Sequence, residues 1–141
     1  MARKRRYIVD GYTRIWPRRV FDIKARDPLA LYVREKLRHL GVYVLYRDDH
    51  PYYVGKTSRR PLFNRIWNHA NSPQDRYYNY WNYFAAFIVP RKRHRDEVEG
   101  ILIAAMPLTA NSSTPRFPRI RLPAGVGRFL RRQRELDSEK T

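Results

Sequence analysis

Apolar positions change their period several times along this chain, and each change marks an element. Leu29, Val33, Leu37 and Leu40 recur at helical spacing. Asp27-Pro28 before them supplies an N-cap and a proline for the first helical position, and Gly41 stops the run. Residues 41–46 and 52–55 are rich in β-formers, with turn residues at 47–51, which predicts a hairpin. Pro61 opens a second helix running to about Ala70 and ended by Asn71-Ser72-Pro73. Its apolar arc is Leu62, Phe63, Ile66, Trp67 and Ala70. The cluster Tyr77, Tyr78, Tyr80, Trp81, Tyr83 and Phe84 leads into a third strand at 85–89, closed by Pro90. Arg91-Lys92-Arg93 reads as a basic loop. Asp96 then caps a helix to about Met106, with Val98, Ile101, Leu102, Ala105 and Met106 as its apolar arc and Pro107 at its end.

Outside these elements the pattern weakens. Residues 1–6 form a basic arm, and 7–22 read as a short strand pair or an ordered extension. Residues 112–125 are proline-rich and extended, and 126–136 form a short basic helix. No internal repeat is evident. The pattern therefore divides the chain into an N-terminal arm and helix (1–40), a core (41–111) and a basic C-terminal extension (112–141). A length of 141 residues suits one domain, with 43% hydrophobic residues to build a modest core.

Charge sharpens this division. The formal net charge is +17. Residues 1–40 hold 12 Lys and Arg against 4 Asp and Glu; 41–111 hold 10 against 6; 112–141 hold 8 against 3. A surplus this large points to a polyanionic partner, gripped by the flanks through salt-dependent phosphate contacts. The absence of cysteine excludes disulfides and thiolate metal sites and fits a reducing compartment. Neither a signal-peptide stretch nor a membrane-length apolar run is evident. The expectation is a soluble cytoplasmic protein that is nucleoid-associated if prokaryotic, with no membrane partner. Monomer and homodimer both stay open.

The candidate chemistry lies in the core. Side chains alternate faces along a strand, so a turn centred near Asp48 sets Tyr43 opposite Tyr53. A slip of two residues keeps them on one face, and a slip of one separates them. Val42 and Val44 with Tyr52 and Val54 form the other face, while Gly41 and Gly55 leave room for a ligand. Cross-strand tyrosines also occur as ordinary sheet packing. Arg65 and His69 lie side by side at the edge of the second helix's apolar arc. There a guanidinium can grip phosphate and an imidazole can move a proton; snorkelling at a helix edge is the ordinary alternative. Glu99 falls inside the apolar arc of the third helix. A carboxylate there needs a cation, either a divalent metal or Arg65. Asn111 follows Pro107 in a loop, and Lys56 beside Gly55 is placed to hold phosphate. The Tyr77 to Phe84 cluster either stacks bases or packs the core, with packing preferred for Trp81 and Phe84.

Taken in order, Gly41-Val42-Tyr43, Tyr53-Val54-Gly55, Arg65 with His69 one turn on, Glu99 and Asn111 resemble the GIY-YIG nuclease family over about half the chain. Valine stands for isoleucine in both short motifs, and the stretch from Tyr53 to Arg65 is about two residues longer than in many repair-type members. The resemblance implies an α+β fold with a small three-stranded antiparallel sheet flanked by helices. It implies a metal-dependent endonuclease that hydrolyses phosphodiester bonds in nucleic acid, DNA before RNA, using Mg2+ or Mn2+. Tyr43 would be the general base or orient the attacking water, and Tyr53 would position water and phosphate. Arg65 would stabilise the charged transition state, and His69 would transfer or position a proton. Glu99 would be the metal ligand, and Asn111 would fix the site from the far side. Lys56, Arg59, Arg60, Arg91, Lys92 and Arg93 are the candidate nucleic-acid contacts. The competing reading is a non-catalytic nucleic-acid-binding or structural component of a nucleoprotein complex.

Overall fold

A computed structural model describes residues 7–107, 110–111, 115 and 117–139. The basic arm at 1–6 lies outside the described residues, as does part of the 112–125 segment. The elements in chain order are β1 (Gly11–Tyr12), β2 (Trp16–Pro17), α1 (Pro28–Lys36), β3 (Gly41–Arg47), β4 (His50–Lys56), α2 (Leu62–Asn71), β5 (Tyr83–Ile88), α3 (Lys92–Ala105) and α4 (Ala124–Glu139).

The fold is α+β with an antiparallel sheet, and the sheet has five strands rather than three. Its path is β1-β5-β3-β4, with β2 also on β5. The two N-terminal strands do not pair with each other. They cover the outer edge of β5, whose backbone would otherwise stand open. Between them Thr13 adds a bond, its hydroxyl accepting from the Ala86 N–H at 2.9 Å.

β3 is the central strand, and its residues 41–45 are buried on both faces. On one side Tyr43, Leu45, Phe84 and Ala86 pack with Val33 and Leu37 near α1, and with Leu62 and Ile66 of α2. On the other, Val42, Val44 and Val54 pack beneath Val98, Leu102, Ile103 and Met106 of α3. Helices on both faces explain why β3 reads as a continuous apolar run. Each fully buried aliphatic side chain here contributes about 1.5–3 kcal/mol. The Asp27 carboxylate caps α1, accepting from the Leu29 N–H at 2.8 Å.

α3 departs from its sequence pattern. It starts at Lys92 with Arg91 as N-cap, so the expected basic loop is its first turn. Asp96 is not a cap; its carboxylate bonds Lys56. Ile101 is exposed, and the inner face runs through Arg95, Val98, Leu102 and Met106. Arg95 is buried because its guanidinium donates to the Val89 and Pro90 carbonyls, which gives the charge backbone oxygen partners. α4 has no buried residue.

Candidate active site

The hairpin register sets the site. Val44 pairs with Val54 and Tyr43 with Gly55, so Tyr53 lies opposite Leu45. This is the two-residue slip, and both phenols stay on the α2 side with ring centroids 6.2 Å apart. A bulge follows between Leu45 and Tyr46. Such an extra residue breaks the alternation locally. Tyr52 therefore does not join Val42, Val44 and Val54. Its ring meets Tyr77 and Tyr80, on the side where Tyr53 also meets Tyr77.

The motif glycines do not leave room for a ligand. A Cβ on Gly55 would lie 2.4 Å from Cζ and Oη of Tyr43, so the space is already filled by that phenol. A Cβ on Gly41 would lie 1.9 Å from the Phe87 carbonyl oxygen and 2.8 Å from Leu62. Gly41 permits close strand and helix packing, and Gly55 seats Tyr43.

Tyr43 is fully buried and its hydroxyl lies 2.8 Å from Nε2 of His69. His69 is 1% exposed rather than at the rim of α2. Its Nδ1 lies 2.9 Å from the Asp75 carboxylate. A carboxylate accepts only, so Nδ1 carries the proton. Burial lowers the His69 pKa against the opposing pull of Asp75, so the ring is neutral near pH 7. Nε2 is then an acceptor, and the Tyr43 hydroxyl donates to it. Burial, reinforced by Tyr53, pushes the Tyr43 phenol well above its usual range, against Arg65. Tyr43 is therefore a neutral phenol with a proton acceptor in place, not a phenolate.

Tyr53 is half-buried, and burial with Tyr77 also raises its pKa. Arg65 is exposed on α2, and its charge acts on both phenols. Glu99 acts on Tyr53 from the α3 side. The fold thus gathers Tyr43, Tyr53, Arg65, His69 and Glu99 around one end of the β3–β4 ladder.

Glu99 meets a cation, though not the one expected. The Lys56 ammonium is 2.7 Å from Asp96 Oδ1 and 3.5 Å from Glu99 Oε1. The Asp96 hydrogen bond holds the Lys56 pKa above its ordinary value. Asn111 sits on the open edge of β4, where its amide accepts from the Val54 N–H at 2.8 Å and donates to the Val54 carbonyl at 2.9 Å. It extends the ladder and holds the strand that carries Tyr53. Arg59, Arg60, Arg91, Lys92 and Arg93 are exposed.

The chain is similar to the GIY-YIG N-terminal endonuclease domain of UvrC from Thermotoga maritima, solved as two point mutants bound to the catalytic divalent cation. One aligns with 24% identity and the other with 23%; both have a TM-score of 0.46. Each alignment covers 58% of this chain and 97% of that domain. No family model and no curated protein matches the sequence.

Two residues that sequence reading passed over complete the site. Asp75 orients His69 and accepts from the Tyr77 N–H at 2.9 Å. Only its position after the Asn71-Ser72-Pro73 stop hinted at a turn role. Arg18 donates to the carbonyls of Ala70, Trp81 and Tyr78, and its guanidinium lies over the Tyr78 and Trp81 rings. It ties the end of α2 to the loop that carries Asp75 and Tyr77. This charge of the N-terminal flank serves the interior rather than a phosphate.

Among the described residues there is no group of three or more His, Asp or Glu side chains able to hold a metal. Asp96 and Glu99, one helical turn apart, nonetheless converge on a single cation, the Lys56 ammonium. Two carboxylates with open coordination otherwise left to water and phosphate are the hard oxygen set that suits Mg2+ or Mn2+. The residues present fit such an ion.

Proposed function

We propose that this chain is a GIY-YIG-type endonuclease that hydrolyses phosphodiester bonds in nucleic acid, with DNA as its polymer. The observation that carries this reading is the buried relay Tyr43–His69–Asp75 beneath Tyr53 and Arg65. A phenol donating to a neutral, carboxylate-oriented imidazole is an arrangement for proton transfer. Ordinary sheet packing has no need of it.

The scissile phosphate would lie against Arg65, which neutralises charge that grows as water attacks. Tyr53 would orient the water and the phosphate. As the water loses a proton to the Tyr43 oxygen, Tyr43 passes its own proton to Nε2 of His69. The imidazolium so formed is stabilised by Asp75. Glu99, with Asp96 beside it, would hold a divalent cation, which supplies charge neutralisation at the phosphate and the leaving oxygen when bound. Lys56 would then release the carboxylates and turn to phosphate. Asn111 would act by holding β4. Arg59, Arg60, Arg91, Lys92 and Arg93, exposed on the surface of the 41–111 core, would contact the polymer backbone.

The Lys56 pairing with Glu99 favours one competing reading, a nucleic-acid-binding protein in which that carboxylate is only half of a structural ion pair. A nicking assay on supercoiled plasmid separates the two. Wild type and Glu99→Gln are compared with Mg2+ or Mn2+ and with EDTA. Metal-dependent cutting by wild type, lost in Glu99→Gln while DNA binding persists, is the expected result. Binding without cutting by either protein would favour the structural reading, or a substrate such as RNA that a plasmid does not offer.

A further inference from the structure

We propose that a row of tyrosines leading out of the site stacks on an unpaired nucleobase, so that the favoured substrate carries a single-stranded or splayed nucleotide at the cut. The placement beside the scissile phosphate rests on the nuclease reading; the base-binding surface itself does not.

The row begins at Tyr53. Its ring lies 4.3 Å from that of Tyr77, nearly parallel at 27°. Tyr77 meets Tyr52 edge-on at 6.3 Å, and Tyr52 lies stacked with Tyr80 at 5.9 Å and 19°. The β4 bulge makes this possible, since it brings consecutive tyrosines to one side. None of these four rings belongs to the fully buried core, and Tyr80, at the outer end, is 52% exposed. Packing explains Trp81 and Phe84, which are buried, but leaves the outer row without a role.

The row is also held rigidly. Tyr77 is fixed by Asp75, and the Tyr80 N–H donates to the Tyr77 carbonyl at 3.0 Å. Preformed aromatic surface loses little freedom on binding.

Charge selects the occupant. The Arg76 guanidinium lies 5.5 Å from the Tyr77 ring centroid, and Arg76 and Arg47 both act on Tyr52. A row of partly buried rings that ends in the exposed Tyr80 and is flanked by guanidinium groups matches a base with its phosphates on either side. The net charge of +17 favours a polyanion over an aromatic peptide. In a continuous duplex the base faces are covered by their neighbours, so only an unpaired or splayed nucleotide can use the row.

The test measures binding by the full chain in EDTA, where cleavage does not intervene. Affinity is read by fluorescence anisotropy for a single-stranded DNA oligonucleotide and for its duplex, and stacking by quenching of an internal 2-aminopurine. Tyr80→Ala should weaken single-strand binding about tenfold, within the range for a lost base–aromatic stack. It should relieve the quenching and leave duplex affinity unchanged. Tyr80→Phe should behave as wild type. Equal loss on single strand and duplex would reduce Tyr80 to a general contact and overturn the proposal. Unchanged single-strand affinity and quenching in both Tyr80→Ala and Tyr52→Ala would overturn it as well. A protein that shows the expected binding but, with Mg2+ or Mn2+, cuts neither plasmid nor a splayed-strand DNA keeps this inference and loses the nuclease reading.

Discussion

Gly55→Ala probes the tightest contact of the site. In the ladder Gly55 is directly opposite Tyr43, and an added Cβ would lie 2.4 Å from both Cζ and Oη of the phenol. The ring cannot swing away cheaply. It is fully buried, and its hydroxyl is held by His69. Overpacking of this kind costs about 1–3 kcal/mol. Replacing glycine in a strand returns about 0.5–1 kcal/mol through lower chain entropy. A contact as short as 2.4 Å puts the overpacking in the upper part of that range, about 2–3 kcal/mol, so the net loss is about 1–2.5 kcal/mol, or roughly 3–10 °C in Tm for a chain of this size. Urea denaturation with parallel thermal melts reads it directly. Gly125→Ala is the control, since nothing lies within 4 Å of its added Cβ and its helix should gain slightly. A double-mutant cycle with Tyr43→Val isolates the cause, because removing the ring should remove most of the Gly55→Ala cost. Wild-type stability in Gly55→Ala, or an undiminished cost in the Tyr43→Val background, would refute the packing argument.

Tyr43→Phe leaves Nε2 of a buried imidazole without its donor. It should cost about 1–3 kcal/mol in urea denaturation and lower the nicking rate by about two to four orders of magnitude; near-wild-type turnover removes Tyr43 from the chemistry. The His69 pKa is lowered in the folded protein, so below the unfolded value of 6.5 the unfolded chain binds the extra proton first. Stability is then complete above about pH 6.5 and falls as pH drops from there through the lower folded pKa. The groups facing the ring are Asp75, Tyr43, Tyr53, Tyr77 and Arg65. His69→Gln should flatten this slope in denaturation series at successive pH values; an unchanged slope assigns it to another group. Activity of the wild type should hold through pH 6.5 and fall only as pH drops through the lower folded pKa of His69, because only the neutral imidazole accepts the Tyr43 proton.

The sequence by itself determined the local structure and most of the candidate site. Period and punctuation decide the hairpin, α1 with its Asp27 cap and α2, because caps, turns and alternation act between near neighbours. The order of Tyr43, Tyr53, Arg65, His69 and Glu99 likewise needed no coordinates to suggest phosphodiester chemistry. Decisions between distant segments needed the tertiary structure. The sequence left two registers that keep both phenols on one face; packing of Tyr43 over Gly55 selects the slipped one. The sequence suggested a short strand pair or an ordered extension at 7–22, but β1 and β2 exist because β5 offers them an edge, not because they pair with each other. His69 is buried rather than peripheral because Tyr43 and Asp75 satisfy both ring nitrogens, and no helical projection contains that information. Lys56 as the partner of Glu99, and Asp75 as the third member of the relay, depend in the same way on where strands and loops meet. Short-range rules place side chains on a face of an element. Which partner neutralises a buried polar group is settled only when elements from remote parts of the chain pack together.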